Sequence, residues 1–396
     1  MIAINILLCV LYLSAFNSVS AWNLKEKLMQ LSNASICHGI NTLKTLMSIP
    51  NQAHDAFNVL ASTACLLNGY SANDSVKLFR AFKFNAGFNK VDDVFSTLNE
   101  LNVQQLYTST SLYIIEERFT IKDPFRLFMR AFQYATLKPN ATFVSELEDD
   151  GDVKQFLTNN SIDPFLAKKF MDHIKLFEND TMVYINGAKF SKKFKVPFDV
   201  KNTKTLPFKN FGTKETMTKY MRGTMYSRYA NNTEYSALEL PFEKEDRFLV
   251  ICPHKPDGYK EMLSKICHDD IWKIINSLGK PKNVAVTLPK FSVTSEKSIE
   301  SFRADADISH LLSSDAKLTG IAEGLHFSQM YMLTNIELNE TGISYEALTA
   351  SKTDKQGKGR TMDVVDVSFE CTHPFIYFIL SKKECVATLV GYVDEL

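Results

Sequence analysis

The chain has 396 residues, and its 45 lysines and arginines balance its 45 aspartates and glutamates. A chain of this length buries a large core without needing disulfides or metals. Because the charges balance, no global field attracts nucleic acid, and we expect no nucleic-acid partner.

The N-terminus has the pattern of a signal peptide. Residues 1–16 form an apolar run that is too short to span a membrane. Val19 and Ala21 follow at the spacing that signal peptidase prefers, although the first basic residue is Lys25. We therefore predict a signal peptide over 1–21, with a buried N-terminal helix as the alternative. No later apolar run reaches about 18 residues, so we expect no membrane partner.

Cysteines and glycosylation sequons also indicate secretion. Six cysteines remain after the predicted cleavage, namely Cys37, Cys65, Cys252, Cys267, Cys371 and Cys385. Predicted glycosylation sites are Asn33, Asn73, Asn140, Asn159, Asn179 and Asn231, and a further sequon begins at Asn339. An even cysteine count permits disulfides, and the sequons fit passage through a secretory pathway.

Periodicity predicts helices first and strands later. Apolar residues recur at helical spacing in two early series, Leu24-Leu28-Leu31 and Ile36-Ile40-Leu43-Met47. Another helix is predicted over about 163–177. From Thr181 the period changes to two, which predicts strands at 182–185, 248–252, 284–288, 330–338 and 375–380. Two helices are predicted within 258–279, the second ended by Gly279. The class is α+β, and no linker divides 22–396 into separate domains.

Motifs for catalysis and cofactor binding are missing from the sequence. It has no Gly-x-Ser-x-Gly elbow, phosphate loop, His-Glu-x-x-His or dinucleotide fingerprint. Cys37-His38 and Cys267-His268 lack a second spaced pair for zinc, so we interpret them as packed or disulfide-bonded cysteines. We expect no enzymatic activity, metal or cofactor.

The segment between Asn339 and Pro374 is unusual for a globular core. Strand-forming residues over 343–350 are followed by a polar stretch over 352–361. Loops longer than about 12–15 residues are usually functional or disordered. The sequence therefore describes both a loop and a possible strand.

A series of short strings explains this duality. They are Asn186-Gly-Ala-Lys-Phe, Lys201-Asn-Thr, Leu238-Glu-Leu-Pro-Phe, Phe248 to Pro253, Leu288-Pro-Lys-Phe, Ile308-Ser-His-Leu-Leu, Asp315-Ala-Lys-Leu-Thr-Gly, Asn339-Glu-Thr-Gly and His373-Pro-Phe. In this order they resemble the serpin family, over about 181–396 with specific motifs and more loosely over the N-terminal helices. The resemblance implies an α+β serpin fold with three β-sheets, about nine helices and an exposed reactive-centre loop at about 340–367.

In inhibitory serpins a target protease attacks this loop as a substrate and forms an acyl-enzyme. The cut loop then inserts as a new strand of the large sheet and distorts the attached protease. Sheet completion drives the step, because backbone groups gain partners and apolar surface is buried.

The resemblance assigns a hinge at the start of the loop, comprising Asn339, Glu340, Gly342, Ile343 and Tyr345. Gly342 has no Cβ to hinder a swing of the chain, although a plain turn glycine is the alternative interpretation. Strand alternation places Ile343 and Tyr345 inward, where bulky side chains make entry slower. A glycan on Asn339 would obstruct the hinge.

Other positions follow from the same resemblance. Asn186 and Met332 match the shutter, the region where the sheet opens, and many inhibitors have histidine where this chain has Met332. Phe194 stands where tryptophan is common, and Ser48-Ile-Pro50 is a candidate for the Ser-Pro start of the second helix. Cys252 and Cys371 are expected on strands of one small sheet, which makes them a candidate disulfide pair.

The family spacing places Gln356 before the scissile bond and Gly357 after it. The loop is longer than in common members, so Lys355, Lys358 and Arg360 are alternatives. Trypsin-like proteases seat a cation against a carboxylate, which favours these basic residues. A purely solubilising role for the charges is the other interpretation.

Two functional hypotheses result. The first is a secreted, monomeric inhibitor that traps a serine protease, expected to be trypsin-like. The second is a non-inhibitory serpin with a binding or chaperone-like role. Residues 393–396, Val-Asp-Glu-Leu, favour the second because they resemble an ER-retrieval tail, although chance similarity is the alternative.

Overall fold

The structure is a computed structural model that describes residues 21–81, 108–116, 118–128, 142–144, 151, 155, 164–173, 182–243, 246–303, 309–344, 365–381 and 385–396. The predicted signal peptide, apart from Ala21, lies outside the described residues. In the described part of the chain no helix is long and apolar enough to cross a membrane.

Helices are present in the two early apolar series, at about 163–177 and within 258–279, where they were predicted, whereas the helices over 72–81 and 299–303 were not predicted. The helices of the described residues are α1 (Ala21–Thr45), α2 (Ala56–Ala64), α3 (Ala72–Ala81), α4 (Pro164–His173), α5 (Tyr259–Lys265), α6 (His268–Ser277) and α7 (Ile299–Arg303). Most of the two early apolar series lies in the single helix α1. The predicted end of α6 is confirmed, because Gly279 follows it with a φ of +67°, the left-handed conformation that ends many helices.

The predicted helix start at Ser48-Ile-Pro50 is wrong. Those residues are exposed, and the strand β1 (Gln52–His54) comes before α2. β1 pairs antiparallel with β16 (Ala387–Val393) near the end of the chain. Asp55 then caps α2, because its Oδ1 accepts a hydrogen bond from the Asn58 amide at 3.2 Å. A distant strand and a local cap thus decide where the helix begins.

All five predicted strands are confirmed. The strands of the described residues are β1, β2 (Thr108–Ile115), β3 (Thr142–Val144), β4 (Met182–Lys189), β5 (Lys192–Lys193), β6 (Lys204–Asn210), β7 (Lys214–Asn231), β8 (Tyr235–Pro241), β9 (Arg247–Pro253), β10 (Lys282–Pro289), β11 (Phe291–Ser298), β12 (Gln329–Asn339), β13 (Gly342–Ser344), β14 (Val367–Glu370), β15 (Phe375–Leu380) and β16.

The strands form two hydrogen-bonded networks. The seven-stranded sheet has the order β3-β2-β4-β12-β13-β5, with β11 also paired to β12. The nine-stranded network has the order β1-β16-β15-β9-β8-β7-β10-β14, with β6 also paired to β7. The long strand β7 joins two parts of this network, because its last four residues pair with β8 and the rest pair with β6 and β10. Divided at β7, the described strands form the three expected sheets.

The core has three apolar clusters, each belonging to one layer of the fold. The first lies between the seven-stranded sheet and α2 and includes Tyr113, Tyr184 and Met332. The second lies between the sheets and is rich in aromatic rings, among them Phe194. The third lies beneath α1, α5 and α6. The α+β class predicted from the two periodicities is confirmed.

Candidate functional site

The seven-stranded sheet changes its pairing at one end. β12 pairs in parallel with β4 from Gln329 to Asn335. After a short turn the chain reverses, and β13 pairs antiparallel with both β12 and β5. The first residues of the unusual segment therefore already occupy a strand position in the sheet.

The turn between β12 and β13 is held by the side chain of Asn339. Its Oδ1 accepts hydrogen bonds from the Thr341 amide at 3.0 Å and from the Thr341 hydroxyl at 2.7 Å. Both residues belong to the sequon, and Asn339 is only 9% exposed. In the folded protein, the sequon residues Asn339 and Thr341 therefore form the turn between β12 and β13.

Gly342 is needed at its position for two independent reasons. Its φ is +141°, which L residues rarely adopt. A Cβ atom would also lie 2.1 Å from the Lys192 carbonyl oxygen and 2.9 Å from the Lys193 Cα. This close approach of the backbone supports the interpretation of Gly342 as a hinge glycine, because a plain turn glycine would not need it.

Glu340 anchors the hinge through its side chain and its backbone. One carboxylate oxygen accepts a hydrogen bond from the Lys290 ammonium at 2.8 Å, and the other accepts one from the Thr203 hydroxyl at 2.7 Å. The Phe198 amide donates to the Glu340 carbonyl oxygen at 2.8 Å. Burial acts to raise the pKa of Glu340, but these hydrogen bonds outweigh it and lower the pKa below 4.5.

Ile343 is packed at the end of the sheet where β13 lies between β12 and β5. It is 2% exposed and lies opposite Leu338 on β12 and Lys192 on β5. The expected inward orientation of Ile343 is therefore confirmed, whereas Tyr345 lies outside the described residues. Lys192 is itself held by a buried ion pair with Asp246, each side chain being 6% exposed.

Aromatic rings pack together at the same end of the sheet. The Phe194 amide donates a hydrogen bond to the Thr341 carbonyl oxygen at 2.9 Å. Its ring stacks on Phe242 with a centroid distance of 5.3 Å and meets Phe198 edge-on at 5.8 Å. Phe194 thus supports both the backbone and the packing of the hinge.

The shutter residues face each other as expected. Met332 on β12 is the register partner of Asn186 on β4, and both are buried. Close by, the Tyr184 and Ser62 hydroxyls are hydrogen-bonded at 2.6 Å, and the Tyr113 hydroxyl donates to the Ser62 carbonyl oxygen at 3.1 Å. The two tyrosine rings stack at 4.6 Å. Tyrosine and serine thus supply polar contacts in the region where Met332 replaces histidine.

Sequence reasoning missed several of these residues. Lys290 and Thr203 lie inside strings that were noted for their family pattern, yet neither was linked to Glu340. Tyr184 was placed only within a predicted strand, and Tyr113 was not singled out. The sequence offered a signal for Lys290, since it is a polar residue directly after Pro289, the proline that ends a strand.

Some of the remaining predicted sites lie in the described part of the chain, and the others lie outside it. Asn73 and Asn231 are exposed, and half-buried Asn33 accepts a hydrogen bond from the Trp272 indole at 2.8 Å. Asn140, Asn159, Asn179 and the reactive-centre candidates Lys355, Gln356, Gly357, Lys358 and Arg360 lie outside the described residues. Within the described ranges, no group of three or more His, Cys, Asp or Glu side chains is arranged to hold a metal ion.

Comparison with known proteins identifies the family. The profile of the serpin (serine protease inhibitor) family matches residues 50–395. The chain therefore belongs to the serpins, a family of serine protease inhibitors.

Similar sequences and structures agree with this assignment. A serine protease inhibitor from Cyanea capillata is 25% identical over 289 residues, covering 70% of this chain and 73% of the relative. Iripin-1 from Ixodes ricinus is 22% identical over 384 residues, covering 93% and 95%. The mouse protein Z-dependent protease inhibitor has the same fold, with a TM-score of 0.77 at 15% identity over 94% of this chain and 99% of that one. Human thyroxine-binding globulin, solved with thyroxine, also shares the fold, with a TM-score of 0.75 at 15% identity over 93% and 99%.

Proposed function

We propose that this serpin is a secreted, monomeric inhibitor that traps a serine protease as a suicide substrate. The observation that carries the proposal is the position of β13 between β12 and β5. The start of the loop already has strand partners on both sides, so a cut loop can extend the same strand between β12 and β4 once the parallel pairs of these two strands separate. Each added residue gains backbone partners and buries apolar surface, which supplies the driving force.

The proposed target is a trypsin-like protease. Lys355, Lys358 and Arg360 are the basic residues near the family position of the scissile bond, and an acidic specificity pocket would bind any of them. Gln356 remains the alternative that family spacing favours.

Secretion is proposed over ER retention because the C-terminal residues are bound within the fold. The Asp394 amide donates to Asn51 Oδ1 at 2.9 Å, and the Leu396 amide donates to Asn210 Oδ1 at 2.9 Å. Asp394 is 1% exposed. A receptor that reads residues 393–396 would have to break these contacts first.

A binding function without inhibition is the second candidate. The direct pairing of β4 with β12 favours it, since insertion of the rest of the loop would have to break those pairs first. Thyroxine-binding globulin shows that the same fold serves in a ligand complex.

The test is incubation with trypsin-like proteases followed by denaturing electrophoresis. Wild-type protein should form a complex of summed mass that resists SDS, and the cleaved protein should unfold at a higher temperature. Ile343→Arg should be cleaved without forming the complex, because a guanidinium cannot be buried without a partner. Met217→Arg is the matched control, since Met217 on β7 is an apolar residue that is 63% exposed, and it should keep the complex. Cleavage of wild type with neither complex nor thermal gain would contradict inhibition and favour the binding function.

A further inference from the structure

Two buried cysteines from separate strands meet within the nine-stranded network. Cys252 lies in β9, and Cys371 directly follows β14. Their Sγ atoms are 2.9 Å apart, although the residues are separated by 119 positions in the chain. Cys252 is 2% exposed and Cys371 is 0% exposed. A disulfide needs about 2.05 Å between the sulfurs, so small side-chain rotations bring the pair into bonding range.

The surroundings of the pair favour thiol exchange chemistry. His373 Nε2 lies 3.6 Å from Cys252 Sγ and 2.5 Å from the Pro253 carbonyl oxygen. Burial acts to raise the pKa of Cys252, but the hydrogen bonds with Cys371 and His373 outweigh it and lower the pKa to about 6. The thiolate is the form that attacks a disulfide. Within the fold, Cys252 is the more acidic thiol of the pair.

The pair joins parts of the chain on opposite sides of the reactive loop. Any cut between 345 and 364 leaves Cys371 on the C-terminal fragment and Cys252 on the larger one. Among the described strands, β14 pairs only with β10, over four residues from Val367 to Glu370. The Cys371 amide also donates to the Thr287 carbonyl oxygen at 3.1 Å. A bond at Cys371 would fasten the end of β14 to β9.

We propose that Cys252 and Cys371 form a disulfide that keeps the chain beyond the reactive loop covalently attached after the loop is cut. The bond depends on the proposed passage through an oxidising compartment and does not depend on protease inhibition. It also ties β14 to the sheet while the loop is intact.

The oxidation is balanced by a small-molecule disulfide such as oxidised glutathione. One of the two cysteines attacks one glutathione sulfur as its thiolate, the glutathione S–S bond breaks, and one glutathione thiolate leaves. The other cysteine then loses its proton and attacks the protein sulfur of the mixed disulfide, which releases the second glutathione. Two protein thiols are oxidised, and one oxidised glutathione becomes two reduced ones. Because both cysteines are buried in the fold, the exchange takes place during folding.

Peptide mapping tests the bond itself. The protein is secreted from eukaryotic cells, its free thiols are alkylated under denaturing conditions, and it is digested without reduction. We expect one linked peptide that contains Cys252 and Cys371, absent from Cys371→Ser. Alkylation of both residues in wild type, or pairing of either with another cysteine, would overturn the proposal.

Cleavage within the loop tests the consequence. After a single cut, wild type should migrate as one species on a non-reducing gel and release the C-terminal peptide only with reductant. Cys252→Ser should release the peptide without reductant. Cys385→Ser is the matched control, since Cys385 lies on the same fragment and contacts Arg247 at 2.8 Å, and it should behave as wild type. Release from unreduced wild type would overturn the proposal, whether or not a protease is inhibited.

Thermal unfolding of the uncut protein gives a readout that needs no protease. Reductant should lower the Tm of wild type by about 5–10 °C, because the bond closes a long loop in the unfolded chain. Cys371→Ser should show no further decrease on reduction. An unchanged wild-type Tm on full reduction would contradict the proposed tie.

Discussion

At the scale of single residues, the hinge depends on side chains that local sequence rules only partly predict. Gly342 could be predicted as a special position, because a glycine after a strand indicates unusual backbone geometry. The reason for its requirement could not be predicted, since the crowding atoms belong to Lys192 and Lys193. Glu340 is similar, because Lys290 and Thr203 reach it from other strands.

Gly342→Ala should displace β13 from the sheet. The added Cβ would meet the Lys192 carbonyl oxygen at 2.1 Å, and the strained φ adds to the cost, so we expect a loss of about 2–4 kcal/mol in the free energy of unfolding. Urea unfolding measures the loss, and hydrogen exchange of the Ile343 amide reports the displacement.

The matched control for this substitution is Gly223→Ala on β7. A Cβ there would have Met225 Cε as its nearest atom, at 3.4 Å, which is ordinary contact. Its stability should stay within about 1 kcal/mol of wild type. Equal losses in the two variants would show that the close approach at Gly342 is not the controlling feature.

At the scale of elements, α1, β1 and β11 enclose a buried group of titratable side chains. His38 on α1 and His54 on β1 approach with their Nε2 atoms 3.1 Å apart. Lys297 on β11 donates hydrogen bonds to the Ala53 carbonyl oxygen at 2.5 Å and to the Ser295 hydroxyl at 2.7 Å. Burial lowers the pKa of His38 to about 4 and that of Lys297 to about 7.

The protein should lose stability as the pH falls from about 6.5 to 4. His38 is neutral in the fold over this range, whereas the unfolded chain binds a proton near pH 6.5, so acid favours unfolding. Its contribution is full above pH 6.5 and decreases by about 3 kcal/mol by pH 4. Burial is the largest cause that lowers the pKa of His54, and the nearby His38 and Lys297 lower it further. His54 therefore also makes the protein less stable as the pH falls.

Urea unfolding between pH 4 and 8 measures this dependence. His38→Gln should flatten the profile between pH 4.5 and 6.5, because the glutamine amide does not titrate. His254→Gln, at an exposed position, should leave the profile unchanged. A His38→Gln profile that coincides with the wild-type profile would contradict the assignment of the slope to His38.

Element prediction succeeded where the pattern was local. Alternation over 330–338 and 375–380 predicted β12 and β15, since each strand buries alternate or all residues whatever its neighbours are. The start of α2 was predicted wrongly because β1 is specified by its partner β16. β13 could be predicted only as a possible strand, since three residues form a strand only when β5 and β12 are in place.

At the scale of the whole molecule, Asp394, the residue after β16, is joined to three distant parts of the fold. The Asn51 amide donates to Asp394 Oδ1 at 2.8 Å, and the Tyr259 hydroxyl donates to Asp394 Oδ2. The Phe211 amide donates to the Asp394 carbonyl oxygen at 2.7 Å. One buried carboxylate thus connects the region before β1, the helix α5 and the strand β16.

Asp394→Ala should destabilise the protein by about 2–4 kcal/mol, because it leaves buried donors without their acceptor. Glu395→Gln, at an exposed neighbouring position, should stay within about 0.5 kcal/mol of wild type. Thermal and urea unfolding of both variants measure the difference. A loss for Asp394→Ala no larger than that for Glu395→Gln would show that the contacts contribute little.

The sequence by itself determined the α+β class, the main strands, the family resemblance and the loop that makes this chain unusual. These features are local, because periodicity and short motifs are properties of neighbouring residues. Only the tertiary structure decided that 342–344 already form a strand, that Lys290 and Thr203 hold Glu340, and that the Cys252 and Cys371 sulfurs meet. Each of these depends on residues far apart in the chain, whose approach is set by sheet pairing and packing of the complete fold.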